Sequence, residues 1–231
     1  MGVLNVFGLI LIPFGFSIPS PKTIWLGLAG GALDMIATRF YYKALKSGEA
    51  SETLAVMGGF SPTATALIAV PLLGSPFGNG ESVFGFALMT LGGFAMFASE
   101  HMNYRQILSV AIAASATFGI ANVVQKLVFN GVNFVTGYVL FATGSFIFAG
   151  ILLLRSSWRK QIFENSGDAR PRNKFGYIAN RVVSGIGAFL VFLAIKHASP
   201  AVVDAIAGIR YVIVFLGALL LTKFKPSWLK E

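Results

Sequence analysis

The chain has 231 residues, of which 55% are hydrophobic and only 12% are charged. Because a soluble domain is about a quarter charged, this composition excludes an ordinary water-soluble fold. The net charge of +9 does not indicate nucleic-acid binding, since the basic residues lie in the gaps between apolar segments, and the lack of cysteine excludes disulfides and thiolate metal sites.

Eight apolar segments follow in chain order, and most have the ~20 residues that a helix needs to cross the hydrocarbon core. The first has no basic residue ahead of its apolar core, so we expect a retained span rather than a signal peptide. The runs are continuous rather than alternating, which favours helices over barrel strands. The sequence therefore predicts an all-α membrane protein with about eight transmembrane helices, at 1–18 (A), 23–45 (B), 54–73 (C), 83–98 (D), 107–129 (E), 134–154 (F), 175–195 (G) and 200–222 (H).

The loops differ strongly in their content of lysine and arginine, which predicts the orientation of the chain. Twelve of these residues lie between B and C, between D and E, between F and G and in the tail, against three near the other loops. With eight spans, all the rich loops fall on one side, which we expect to be the cytoplasm. The prediction is a multi-pass protein of the inner cell membrane with both ends of this chain inside.

A short junction at the end of B recurs at the end of G. Tyr42-Lys43-Ala44-Leu45-Lys46 returns as Leu193-Ala194-Ile195-Lys196, and each copy precedes another apolar segment. The two copies lie five spans apart, and an odd offset inverts the second copy relative to the first, as in many transporters. We therefore predict two inverted structural repeats within a single membrane domain, 1–106 and 107–231.

Matching outward from this junction pairs A with F, B with G and C with H, and leaves D and E without partners. A ten-helix plan of two five-helix halves would need one further helix before A and one after H. We therefore expect this chain to lack the two terminal helices of such a plan.

Several short motifs stand out at the ends and in the middle of the apolar segments. They are Phe40-Tyr41-Tyr42-Lys43-Ala44-Leu45 with Glu49-Ala50-Ser51, Phe60-Ser61-Pro62, Phe118-Gly119, Asn122-Val123-Val124-Gln125-Lys126 and Ala194-Ile195-Lys196-His197-Ala198-Ser199. These motifs resemble the drug/metabolite transporter superfamily, specifically its EamA-like ten-helix permeases. The resemblance implies an aromatic-aromatic-basic-Ala-Leu end on one helix, a proline inside the next, and a helix like E opening the second half.

The family and the charge bias differ on orientation. In that family both termini are usually cytoplasmic in the ten-helix form. The charge bias here predicts the opposite once two helices are added, and we follow the charge bias.

Ionisable side chains in the middle of a membrane span cost at least ~2.5 kcal/mol and indicate function. Asp34 lies halfway along B and Arg210 halfway along H, so we expect both to face a shared interior cavity and to pair or to contact a substrate. The alternative is a buried ion pair that only fixes packing. We predict that Tyr211, the residue after Arg210, also lines this cavity.

Segment E carries a stripe of small and polar residues at helical spacing, formed by Ser115, Gly119, Asn122 and Lys126. Such a stripe either packs helices closely or lines a path. We predict that Asn122 and the nearby Gln125 line a substrate path, and that Lys126 extends outward to the membrane interface.

Segment C contains Pro62 and Pro71, which interrupt a helix and free backbone carbonyls that need partners. The hydroxyls of Ser61, Thr63 and Thr65 could supply them, and Ser61 is also predicted to line the cavity. A broken helix beside a binding site is a transporter device, and an ordinary kink is the alternative.

Asp204 lies six residues before Arg210, which places the two about 120° apart around a helix, so they do not share a face. Asp204 also lies one turn after Pro200, where the N-terminus of a helix favours a carboxylate. We therefore predict a structural role for Asp204 rather than a place in the cavity.

The sequence contains no P-loop, no dinucleotide fingerprint and no G-x-S-x-G elbow, so no enzyme activity, cofactor or metal is predicted. The predicted function is a secondary transporter, a permease that moves a small metabolite or drug-like solute by alternating access. The alternatives are a non-transporting scaffold, subunit or truncated pseudo-transporter and, less favoured, a membrane-embedded lipid enzyme. The expected partners are a small-molecule substrate and membrane lipid, without nucleic acid, and a homodimer is left open.

Overall fold

The computed structural model describes residues 2–47, 50–74, 80, 83–88, 90–91, 104–156, 171–209 and 213. Every regular element in these ranges is helical, and they contain no strand. Three of the described helices contain stretches long and apolar enough to cross a membrane, namely Leu108–Gly131, Phe134–Leu154 and Ile178–His197. The predicted all-α class is confirmed for the described residues, and the three apolar helices fit a membrane protein.

The described elements begin with a 3₁₀ helix, which is unusually long for its type, and continue as six α-helices. In chain order they are the 3₁₀ helix Gly2–Phe14, then α1 Pro21–Ser47, α2 Ala50–Leu73, α3 Tyr104–Gly131, α4 Phe134–Leu154, α5 Pro171–His197 and α6 Pro200–Ala207.

Segments B, C, E, F and G are confirmed as helices, and F has the predicted bounds. The helix at G begins at Pro171, inside the predicted loop. Helix α2 continues through both of its prolines, so the broken-helix alternative for C is wrong and the alternative of an ordinary kink stays open. Half of D and just over half of H lie outside the described residues, as does most of the basic loop between F and G. The count of eight spans therefore stays a prediction.

The contacts divide the chain into two compact units, each made of two separate stretches. Unit one consists of Met1–Met35 and Val124–Ala198, and unit two of Ile36–Val123 and Ser199–Glu231. Each unit thus combines residues from both predicted repeat halves, 1–106 and 107–231. The two repeat halves were predicted from similarity between segments of the sequence, and compact units do not test such similarity. The halves therefore stay a prediction.

Unit one is built around α4, which packs against the 3₁₀ helix and α5. Its core contains Val128, Leu140 and Phe141, all buried. Edge-on aromatic contacts extend it, since the ring of Phe192 lies 5.8 Å from that of Phe141 and 5.2 Å from that of Tyr138. This geometry favours contact between the positive edge of one ring and the negative face of another.

The turn between α3 and α4 is fixed by Asn133, which caps α4. Its side-chain oxygen accepts a hydrogen bond from the backbone N–H of Thr136 at 2.8 Å, and its amide nitrogen donates to the carbonyl of Gly15 at 2.8 Å. The side chain of Thr136 in turn accepts from the backbone N–H of Ser17 at 3.0 Å. One asparagine therefore ties the segment after the 3₁₀ helix to the start of α4.

Replacing Asn133 with alanine should lower the free energy of unfolding by ~1 kcal/mol, the usual cost of losing an N-cap. Thermal unfolding of the detergent-solubilised protein measures this. Asn130→Ala is the matched control, because Asn130 is exposed near the end of α3 and makes no hydrogen bond to the described residues. Equal losses in the two variants would contradict the capping role.

Unit two has a core of small and flexible side chains, with Ala44, Met57, Ala111 and Ala114 all buried. The larger side chains of Phe40, Tyr41, Phe60, Leu108, Val110 and Phe118 pack around them. Small residues at the contact let helix backbones approach closely, which is how helices associate in lipid. In this unit α2 also packs against α6, and that contact positions the site.

Candidate functional site

A carboxylate on α6 forms the centre of a polar cluster within unit two. Asp204 Oδ2 accepts a hydrogen bond from the hydroxyl of Ser61 at 3.2 Å and another from the hydroxyl of Thr65. Asp204 Oδ1 accepts from the side-chain amide of Asn122 at 3.1 Å. Three helices, α2, α3 and α6, thus supply one carboxylate, two hydroxyls and one carboxamide, which we call the Asp204 cluster.

The two hydroxyls come from one face of α2, because Ser61 and Thr65 are four residues apart. They lie inside the apolar stretch Met57–Leu73, and Asn122 lies inside the candidate span Leu108–Gly131. Gly119 brings α3 close to this face. A side chain there would place its Cβ 3.0 Å from the backbone nitrogen of Thr65 and 3.1 Å from its hydroxyl oxygen. The glycine is therefore what lets α3 approach Thr65.

The cluster offsets the cost of removing a carboxylate from water. Ser61 and Thr65 are buried, and Asp204 and Asn122 are partly buried. Hydrogen bonds to a charged group contribute ~1.5–3 kcal/mol each, and a buried charge without them would be strongly destabilising. Three donors from two other helices thus hold this carboxylate in place.

The structure brings together two of the predicted cavity residues, Ser61 and Asn122. Asp34 is on α1 in unit one, is partly buried, and has no hydrogen-bond or ion-pair partner among the described residues. Gln125 is buried in unit one, and its side-chain nitrogen has no hydrogen-bond partner in the described part of the chain. The remaining two, Arg210 and Tyr211, lie outside the described residues, so the predicted pairing of Asp34 with Arg210 stays a prediction.

Asp204 and Thr65 belong to the cluster but were not among the residues predicted from the sequence to line the cavity. Asp204 is the fifth residue of α6, beyond the first turn, and its carboxylate accepts from side chains of other helices instead of a helix N-terminus. The predicted end-of-helix role is therefore wrong. The sequence did contain a signal for Asp204, because an acidic residue anywhere inside an apolar segment indicates that it has a polar partner.

The hydroxyls of segment C divide between two roles. Thr63 donates to the carbonyl of Gly59 at 3.0 Å, within its own helix, as predicted for these residues. Ser61 and Thr65 donate to Asp204 across the helix contact, so for them the predicted partner is wrong. The reason is geometric, since positions 61 and 65 share a face that position 63 does not.

A reciprocal pair of lysines joins the ends of α3 and α5 in unit one. The ammonium of Lys126 donates to the carbonyls of Ile195 and Lys196, each at 3.0 Å. The ammonium of Lys196 donates to the carbonyl of Val132 at 2.8 Å and to that of Phe129. The predicted outward extension of Lys126 is therefore wrong, because carbonyls at the end of α5 lie within reach.

These contacts satisfy carbonyls that a helix end leaves without an intrahelical partner. Both lysines lie where the negative end of a helix dipole favours a cation. Since each reaches the end of the other's helix, the C-terminal ends of α3 and α5 lie together.

The polar stripe of α3 has the first of its predicted roles, close helix packing, and its place along a substrate path stays a prediction. Gly119 packs closely against α2, and Asn122 donates into the Asp204 cluster. Ser115, on the same stripe, is fully buried, and its hydroxyl has no hydrogen-bond partner within the described ranges. Among the described residues, no three His, Cys, Asp or Glu side chains come together in a way that could hold a metal ion.

Comparison of the chain with protein-family models, with curated proteins and with solved structures gives no match.

Proposed function

We propose that the protein is a secondary transporter that moves a small metabolite or drug-like solute across the inner cell membrane by alternating access. It is a multi-pass permease with about eight spans in two inverted repeats, similar in plan to EamA-like transporters. It binds its substrate without a covalent reaction, and membrane lipid surrounds it.

The observation that carries the proposal is the Asp204 cluster. Four polar side chains from three helices meet inside apolar sequence, where each of them is costly unless it serves binding or packing. The hydrogen bonds of a cluster shared by three helices can break and re-form when those helices move relative to one another. Alternating access requires such rearrangement around a binding site. A scaffold needs no such polar cluster.

Two features of unit one are compatible with this plan. The C-terminal ends of α3 and α5 lie together, as expected if these helices are the fifth and seventh spans, since spans two apart run the same way. Lys126 and Lys196 are two of the three basic residues near the sparse loops, where the predicted orientation disfavours cations. Both are held by carbonyls at helix ends.

Transport is tested in liposomes that contain the purified protein and are loaded with a protein-free small-molecule extract of bacterial cells. Mass spectrometry compares the solutes lost from these vesicles with those lost from protein-free vesicles. We expect a defined set of solutes to leave only through the protein, and Asn122→Ala to slow their loss several-fold. Retention of every solute as in protein-free vesicles would contradict the proposal.

Thr63→Val is the matched control for this measurement. Thr63 lies on α2 between two cluster members, but its hydroxyl bonds only the carbonyl of Gly59. Its solute loss should equal that of the unaltered protein. Gel filtration of each variant before reconstitution separates a transport defect from misfolding.

A further inference from the structure

We propose that Lys126 and Lys196 form a binding site for the phosphate head group of an anionic membrane phospholipid. Both lysines belong to unit one, lie near the joined ends of α3 and α5, and are partly exposed. The site goes beyond the proposed function and does not depend on it, because it needs only the folded protein in a membrane.

Each ammonium keeps one hydrogen-bond donor for a ligand. An ammonium has three donors and no acceptor. Lys126 uses two of its donors on the carbonyls of Ile195 and Lys196, and Lys196 uses two on those of Phe129 and Val132. The third donor of each has no partner in the described part of the chain. Because Lys126 bonds the backbone of Lys196 itself, the two remaining donors belong to neighbouring groups, and one phosphate offers acceptor oxygens to both.

The lysine pair also carries an excess of positive charge. A helix C-terminus carries about half a negative charge, so the ends of α3 and α5 together offset about one of the two lysine charges. The only acidic residue of unit one within the described ranges is Asp34, which lies halfway along α1. About one positive charge is therefore left without a counter-ion at the end of two apolar helices. The phosphodiester of an anionic lipid such as phosphatidylglycerol supplies one negative charge, whereas phosphatidylcholine also carries a cation that opposes binding.

The surface of α5 below Lys196 suits the acyl chains of such a lipid. Phe192 and Phe189 lie four and seven residues before Lys196, on the same face of the helix, and both are partly exposed. Ile186 and Leu190, beside this face, are exposed by 57% and 56%. One leaflet of the hydrocarbon core is ~15 Å deep, which corresponds to about ten helical residues. Apolar surface thus continues from the lysine pair through the depth of one leaflet, which favours a lipid over a free phosphate ion.

The test measures thermal unfolding of the full chain in detergent with increasing amounts of phosphatidylglycerol or phosphatidylcholine. A ligand that binds only the folded protein raises the midpoint temperature as its concentration rises. We expect a saturable rise with phosphatidylglycerol and little change with phosphatidylcholine. Lys196→Gln and Lys126→Gln should each raise the phosphatidylglycerol concentration that gives half of the rise by about fivefold, the scale of one lysine at an anionic lipid surface.

Each variant is compared with its own midpoint in the absence of lipid, which separates lipid binding from a general loss of stability. Lys196→Arg keeps the charge and the donors and should retain the dependence on phosphatidylglycerol. Lys22→Gln is the matched control, because Lys22 is exposed at the start of α1 and is predicted to lie on the same side of the membrane. It should also retain the full dependence.

Four results would overturn the site. They are equal rises with the two lipids, equal losses in Lys22→Gln and Lys196→Gln, and a loss in Lys196→Arg as large as that in Lys196→Gln. The fourth is a rise with sodium phosphate as large as that with phosphatidylglycerol, with no added effect of the lipid, which would assign the lysine pair to a soluble anion.

Discussion

Replacing Gly144 with alanine should lower the free energy of unfolding by about 2–3 kcal/mol, at the upper end of the cost of overpacking. Gly144 lies on α4 where that helix crosses α1. A Cβ at this position would lie 2.7 Å from the Cα of Leu28 and closer still to the carbonyl oxygen of that residue. A backbone atom cannot rotate away as a side chain can, so the two helices would have to separate.

The crossing is also closed from the other side. A Cβ at Gly31 of α1 would lie 2.7 Å from the backbone nitrogen of Ser145, and the buried hydroxyl of Ser145 donates to the carbonyl of Gly31 at 3.0 Å. Helix separation in Gly144→Ala would therefore also lengthen this hydrogen bond. Close backbone contact of this kind replaces the hydrophobic effect as the force that joins helices in lipid.

Gly150→Ala provides the matched control on the same helix. A Cβ at Gly150 would have no atom within 4 Å, so alanine there should leave stability unchanged or increase it slightly through its higher helix propensity. Denaturant unfolding in mixed micelles measures both variants. A loss in Gly150→Ala as large as that in Gly144→Ala would show that close helix contact is not the cause.

Replacing either Lys126 or Lys196 with methionine should cost about 2–3 kcal/mol. Each ammonium donates two hydrogen bonds, and the loss should be smaller than the sum of two bonds at ~1.5–3 kcal/mol each, because both lysines are partly exposed to water. Methionine retains a long apolar stem but no donor. The carbonyls of Ile195, Phe129 and Val132 would then lose the partners that close the ends of α5 and α3. The free energy of unfolding in mixed micelles is again the measurement.

Lys22→Met is the control for charge removal alone. Lys22 is exposed at the start of α1 and makes no hydrogen bond to the described residues, so its loss should change stability little. Removing a cation from the positive end of a helix could even add a few tenths of a kcal/mol, as the helix dipole predicts. If Lys126→Met and Lys196→Met were as mild as Lys22→Met, the capping role of the pair would be wrong.

The two copies of the repeated junction have different surroundings. Lys46 and Lys196 correspond in the sequence match, yet Lys46 is exposed, while Lys196 reaches carbonyls at the end of α3 and lies 6.0 Å from the ring of Phe129. Sequence similarity therefore predicted the position of each lysine at a helix end, but not what the side chain contacts. That depends on whether another helix ends within reach.

The same limit applies to the candidate site. Helical spacing placed Asn122 on a polar face, and polar character inside an apolar segment singled out Ser61. Their common partner could not be predicted from spacing, because Asp204 lies 143 residues from Ser61 and 82 from Asn122. Thr65 was predicted to bond its own helix, which is true of Thr63 but not of position 65.

The sequence by itself determined that this is a helical membrane protein and where most of its helices lie, and for Phe134–Leu154 it gave the bounds correctly. A membrane helix satisfies its backbone within its own segment, so apolar length and composition are enough to predict it. Only the tertiary structure decided that Asp204 collects donors from two other helices and that two lysines cap each other's helices. Those contacts depend on the register in which distant helices pack, and the period of a single helix carries no information about that register.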